Sequence, residues 1–340
     1  MALRARSSPK SEASGAPPQQ DSKKEDSHSS EDLGLLPNME AKIEKVAHWA
    51  WTTIPFDKLP HWLRDNEYLH HSHRPPMYSF SGCFKSMFRL HTETWNIWTH
   101  FVGFVFFVAL SLGAYVCGDY ITFFFDDIEI SKLPWDEQLA LFFFFLGAMA
   151  CMYCSFMFHL VANHSHEVYK IFSKLDYSGI AFLITGSSIP AYYYAFYCAT
   201  VEKFVHIAIL ILLCATCIVV SFGKKFATPD YRPLRFATFV LFGLYGVVPG
   251  IHVMLREDFE FSNASKAYSV YGLCLMGAMY IGGACLYVFR VPERFFPGKF
   301  DVWASSHQLF HVCVLAAVLV HYDSLLNMIK YRSTAAQCER

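Results

Sequence analysis

From Asn96 onward the chain alternates long apolar runs with short polar breaks, the pattern of a protein whose outer solvent is lipid. Seven runs of about the length that crosses a bilayer lie near 97–117, 138–161, 176–197, 204–222, 235–254, 268–288 and 305–322. They predict an all-α membrane protein, a seven-transmembrane helix bundle over residues 97–322. No internal repeat is visible, so an inverted-repeat transporter gains no support. Upstream the pattern changes. Residues 1–45 are rich in Ser, Pro, Lys, Glu and Gln, with almost nothing apolar before Leu33, and read as a disordered cytoplasmic tail. Residues 46–96 mix aromatics and proline with charge (Trp49, Trp51, Phe56, Pro60, Trp62, Pro75, Pro76), too broken to span. A juxtamembrane segment with a short amphipathic helix fits them. Residues 323–340 read as an extracellular C-terminal tail. No apolar stretch follows Arg4, Arg6 and Lys10, so no cleavable signal peptide is expected.

Composition agrees with the pattern: 54% apolar and 17% aromatic residues are more than a shell of 17% charged residues would keep dispersed in water. The net charge of −1 creates no global field towards nucleic acid, so charge matters only locally. Eleven Cys, mostly inside apolar runs, do not describe a secreted disulfide scaffold. Cys151-x-x-Cys154 and Cys214-x-x-Cys217 read as small core residues rather than thiol motifs. Orientation comes from the loops. Lys85, Arg89, Lys170, Lys174, Lys224, Lys225, Arg232, Arg290, Arg294 and Lys299 fall on the side of the tail. The other side has Lys132, Lys203, Arg256 and Lys266 among many acids (Asp119, Asp126, Asp127, Glu129, Asp136, Glu257, Asp258, Glu260). The N-terminus is therefore read as cytoplasmic and the C-terminus as extracellular, against the vote of Lys330, Arg332 and Arg340. The sequon Asn263-Ala264-Ser265 falls in an outer loop in this arrangement.

Ionisable groups inside spans are costly, and each is a candidate for function. His307 and His311, at i and i+4, share one helix face at the start of the seventh span. His159 lies near the inner end of the second span, with Ser155 one turn before it, and Asp176 begins the third. These groups lie at similar depth. Three imidazoles, an open position and a nearby carboxylate are the composition of a catalytic zinc site. Asp176 is then a proton acceptor or a water anchor, or else it simply caps the third helix. No further Cys or His is evident at that depth to close the site. His164 and His166 read as loop polarity, and His70, His71 and His73 as interfacial side chains. His252 and His321 lie at the far ends of their spans.

Dense blocks then carry a resemblance: IPFDKLPHWLRDNEYLHHSHRPP, CFKSMFRLHTETWNIWTH, FHL followed by FSKLDYSGIA, KFATPDYRP, YGVVPGIH and VPERFFPGKFDVWASSHQLFHV. From about Trp49 to Arg332 the chain resembles the adiponectin receptors of the progestin and adipoQ receptor family. The resemblance implies an N-inside, multi-pass protein of the plasma membrane, with zinc held by His159, His307 and His311, and with Ser155 and Asp176 completing the site. It also implies an adiponectin-like extracellular ligand, ceramide or fatty acid in the bundle, a cytoplasmic adaptor at the N-terminal region, contact with membrane lipids, and control of lipid and glucose metabolism. Homo- and hetero-oligomers are both compatible with it. The expected activity is hydrolysis of ceramide to sphingosine and fatty acid; the alternative is a receptor that signals by conformational change around a purely structural zinc. One departure is Trp95, where the family pattern has Gly.

Overall fold

A computed structural model describes residues 52–117, 128–223, 232–256 and 264–334, all within the unit His48–Arg340. The tail, Lys224, Lys225, the acids at 119, 126, 127, 257, 258 and 260, Asn263 and the last six residues lie outside the described residues. Nine α-helices are described. They are α1 (Phe80–Ser86), α2 (Thr94–Leu112), α3 (Trp135–Val161), α4 (His166–Ala195), α5 (Thr200–Phe222), α6 (Arg232–Leu244), α7 (Val247–Arg256), α8 (Ala264–Phe289) and α9 (Ser306–Thr334). Among the described residues no strand forms, only an isolated bridge between Ile54 and His73.

Six helical stretches are long and apolar enough to cross a membrane, and the chain is a multi-pass membrane protein. The expected third span is α4, 30 residues long, but Lys170, Lys174, Asp176 and several Ser and Gly make it too polar to count among the six. Of its small and polar residues, Ser178, Gly179, Gly186 and Ser187 are buried. The expected fifth span is two helices, α6 and α7, broken at Tyr245 and Gly246. The cause is local: Pro249 has no N–H to offer the Tyr245 carbonyl, which instead accepts from Val248 in a tighter turn. The last helix runs to Thr334, through residues expected to be tail.

Helices α3 and α4 meet backbone to backbone. A Cβ on Gly147 would come 2.6 Å from the Phe182 carbonyl oxygen, and one on Gly179 3.0 Å from the Cα of Cys151. Small residues at such crossings let two helices approach closely in lipid, where apolar burial drives little. The result brings Ser155 and His159 of α3 beside Asp176 of α4. Helix α9 crosses α2 and α4 and packs along α8, where Gly283 receives Cys313. Helices α6 and α7 lean on α4 and α5, and not closely on α8.

The segment before α2 folds as two short 3-10 turns (Phe56–Lys58, His61–Leu63), then α1. It is tied to the turn between α8 and α9. Asn66 Nδ2 donates to the Glu293 carboxylate at 3.0 Å; the amides of His70 and His71 donate to the Asp301 carboxylate at 2.9 and 2.8 Å; and Arg290 pairs with Asp65 at 2.8 Å. His73 is buried within this fold, and Trp62 stacks on His166 of α4. Trp95 packs on Trp303 across the same contact, with ring centroids 4.8 Å apart. The segment thus forms a roof over one end of the bundle.

Candidate metal centre

His159 lies in the last turn of α3, and His307 and His311 in the first turns of α9. Each offers one ring nitrogen to a common point, and the three atoms lie within 4.8 Å of one another. His159 and His311 are buried and His307 half-buried. One atom tests whether a metal fits. His159 Nδ1 lies 2.7 Å from the Glu93 carboxylate, which can only accept, so Nδ1 carries the proton and Nε2 presents its lone pair. That Nε2 is buried without a hydrogen-bond partner. A buried polar atom without a partner is costly, and a cation among the three imidazoles would satisfy it. The donor set suits a metal.

Glu93 was not among the residues singled out from sequence. It precedes α2, and its own amide donates to His91 Nδ1 at 3.1 Å while Asn96 Nδ2 donates to its carboxylate at 2.7 Å. Burial pushes the Glu93 carboxyl up, but the hydrogen bonds and charge of His159 outweigh it and hold the group below the ordinary carboxylate range. Burial also drives His91 down to about 3, so this imidazole is neutral and can accept from Glu93 on one side while donating to the Ser86 carbonyl on the other. The carboxylate–histidine pair is how a metal ligand is commonly oriented. His100 was also missed. Its ring stacks on His311 at 3.7 Å, nearly parallel, with neither nitrogen hydrogen-bonded. The expectation that no other His lies at this depth is therefore corrected, although His100 is not one of the converging three. The signal was present: Glu93, Asn96 and His100 fall at i, i+3 and i+7, a polar stripe on the entry of an apolar helix.

Asp176 stands in the third turn of α4, not at its start. Ser165 caps that helix, its hydroxyl accepting from the Val168 amide, so the capping explanation for Asp176 falls away. Ser155 and His159 both lie beside the Asp176 carboxylate. Behind the His cluster opens a cavity of about 1300 Å³ that reaches from Asp65, His307 and Asp176 at one end to Cys198 and Arg332 at the other. Its walls are mostly apolar. His164 stacks on Phe80, far from any cluster, and His252 pairs with His206 at 2.9 Å, where α5 meets α7. His321 bonds the Ser187 carbonyl at 2.8 Å. The two Cys-x-x-Cys pairs are free thiols.

Residues 88–322 match the family model described as haemolysin-III related. The chain is 44% identical to the "Adiponectin receptor protein" of Drosophila melanogaster over 90% of its own length and 67% of that protein. It is 44% identical to the "Progestin and adipoQ receptor-like protein 1" of Caenorhabditis elegans over 84% and 63% of the two lengths. The chain belongs to the adiponectin receptor family. It spans about two thirds of the length of these two relatives. A plant member, "Heptahelical transmembrane protein 1" of Arabidopsis thaliana, is 35% identical over 82% of both chains. The three imidazoles sit at the roofed end of the bundle, against the mostly apolar cavity.

Proposed function

We propose that this family member is a receptor of the plasma membrane whose His159, His307 and His311 hold zinc near the cytoplasmic side, and that it hydrolyses ceramide to a sphingoid base and a free fatty acid. The observation that carries the reading is the unpartnered, buried His159 Nε2 among three converging imidazoles at the end of a large apolar cavity. Three imidazoles suit zinc, and three ligands leave a position for reaction. Zinc, when bound there, supplies a Lewis acid that acidifies water and polarises the amide carbonyl. Asp176 takes the proton of the attacking water and hands it to the leaving nitrogen, and Ser155 donates a hydrogen bond to the oxygen on which charge develops. Glu93 holds the His159 ring in the tautomer that presents Nε2.

We read α4 as a membrane crossing that brings the count to seven despite its polarity, because its neighbours α3 and α5 are both membrane helices and it runs 30 residues between them. The N-inside orientation rests on loop charge. An adiponectin-like protein is the extracellular ligand and an adaptor engages the cytoplasmic N-terminal region on this reading. The test is metal analysis of the purified chain together with release of fatty acid from ceramide. About one zinc per chain with turnover is expected. Zinc without turnover would replace the hydrolase by a receptor in which the metal only joins α3 to α9, and absence of zinc would remove both.

A further inference from the structure

Hydrolysis of a lipid amide changes the charge inside the cavity. A neutral amide and water become a carboxylate and an ammonium: the C–N bond breaks, a C–O bond forms, and both water protons end on the released nitrogen. Each new charge is costly in an apolar chamber unless it finds a counter-charge. At the inner end the cavity is lined by two cations, Arg74 and Arg290, and three carboxylates, Asp65, Glu93 and Asp176. Arg74 is committed to Ser86 and to the carbonyls of His159 and Leu160. Glu93 holds His159, and Asp176 lies beside the reacting centre.

The remaining two face each other. Arg290 Nη2 meets the Asp65 carboxylate at 2.8 Å, joining the turn after α8 to the roof. Among the described ties between the roof and the turn after α8, Asp65–Arg290 borders the cavity, while Asn66, Glu293 and Asp301 do not line it. It also borders water, the side chains being 14% and 35% exposed. Tyr287 links it to the candidate metal centre: its ring centroid is 4.8 Å from that of His307 and 5.0 Å from the Arg290 guanidinium. We propose that the Asp65–Arg290 pair is the subsite that receives the charged ends of the products, the long-chain carboxylate on Arg290 and the long-chain amine on Asp65, and passes them to the cytoplasmic side. A neutral substrate leaves the pair closed. The products carry one charge of each sign, so each can take a partner and neither side chain is left bare. A guanidinium suits a carboxylate in particular, since it can grip both oxygens.

The proposal rests on the hydrolase reading for its purpose, but its test does not require turnover. Binding of palmitate, sphingosine and the uncharged hexadecanol is measured on the purified full-length chain and on Arg290→Gln, Arg290→Lys and Asp65→Asn. Arg290→Gln should weaken palmitate by roughly tenfold or more while hexadecanol binding holds, which also reports an intact cavity. Arg290→Lys should recover most of the loss. Asp65→Asn should weaken sphingosine and leave palmitate as tight or tighter. A loss shared equally by all three ligands, no loss at all, or equal loss in Arg290→Lys and Arg290→Gln would overturn the subsite. If the crossed pattern appears without ceramide turnover in the wild-type chain, the subsite stands and the hydrolase falls; turnover without the pattern gives the reverse.

Discussion

Two halves of this bundle are built differently. In α3 and α9 half or more of the central apolar window is buried, whereas in the α6–α7 stretch and in α8 the shares are 11% and 6%. The first group, with α2 and α4, is joined by glycine contacts and carries the three imidazoles, Glu93 and Asp176. The second forms a looser wall of the cavity, where Gly243, Gly250 and Gly277 have nothing near their missing Cβ, although Gly272 and Gly283 still seat α8 closely on α9. On the proposed reading, precision of atom placement and access for a lipid come from different helices. A metal ligand must be fixed to within a fraction of an ångström, while a chamber for a flexible chain gains from walls that give.

The contrast can be broken most severely at the reacting centre. Asp176→Asn preserves shape but accepts no proton, so ceramide turnover should fall by roughly 10²–10⁴-fold with zinc content unchanged. Unchanged turnover would remove Asp176 from the chemistry. Next comes Glu93→Ala, which frees the His159 ring; metal affinity, read by competition with a chelator, should drop about 10- to 100-fold. Normal affinity would mean that packing alone orients the ring. Glycine substitutions then compare the halves directly. Gly147→Ala forces a methyl group against the Phe182 carbonyl and should destabilise the chain by about 1–3 kcal/mol in thermal unfolding, with metal loss in parallel. The smallest effect belongs to Gly277→Ala in α8, where open space greets the methyl group and the gain in helix propensity is at most about 1 kcal/mol. Comparable damage from the two glycine changes would erase the distinction between the halves.

Much of the tight half was legible in sequence because its determinants are periodic. The His307/His311 spacing and the depth of His159 follow from 3.6 residues per turn once the spans are set. What escaped lay at the edges of runs. Glu93 precedes the first apolar stretch and so was not weighed as an intramembrane group, although helix α2 begins beside it. Asp176 was placed at a helix start because hydropathy rises there, whereas Ser165 begins the helix among polar residues. The α6–α7 break was written in Gly246, Pro249 and Gly250, but a window average of hydropathy does not resolve a missing N–H. The roof is held by pairs more than two hundred residues apart, such as Asn66 with Glu293, which no local pattern encodes.

The buried guanidinium of Arg74 has a practical implication for where this protein begins. It belongs to the segment before the first membrane helix, yet it fills the positions at the end of α3 where the carbonyls of His159 and Leu160 lack helical partners. A fragment cut just ahead of α2 would keep every described membrane helix and the three converging imidazoles, though not Glu93. It would also lose the cation that closes the helix bearing His159, so the smallest working unit starts upstream of the first membrane helix, at the roof.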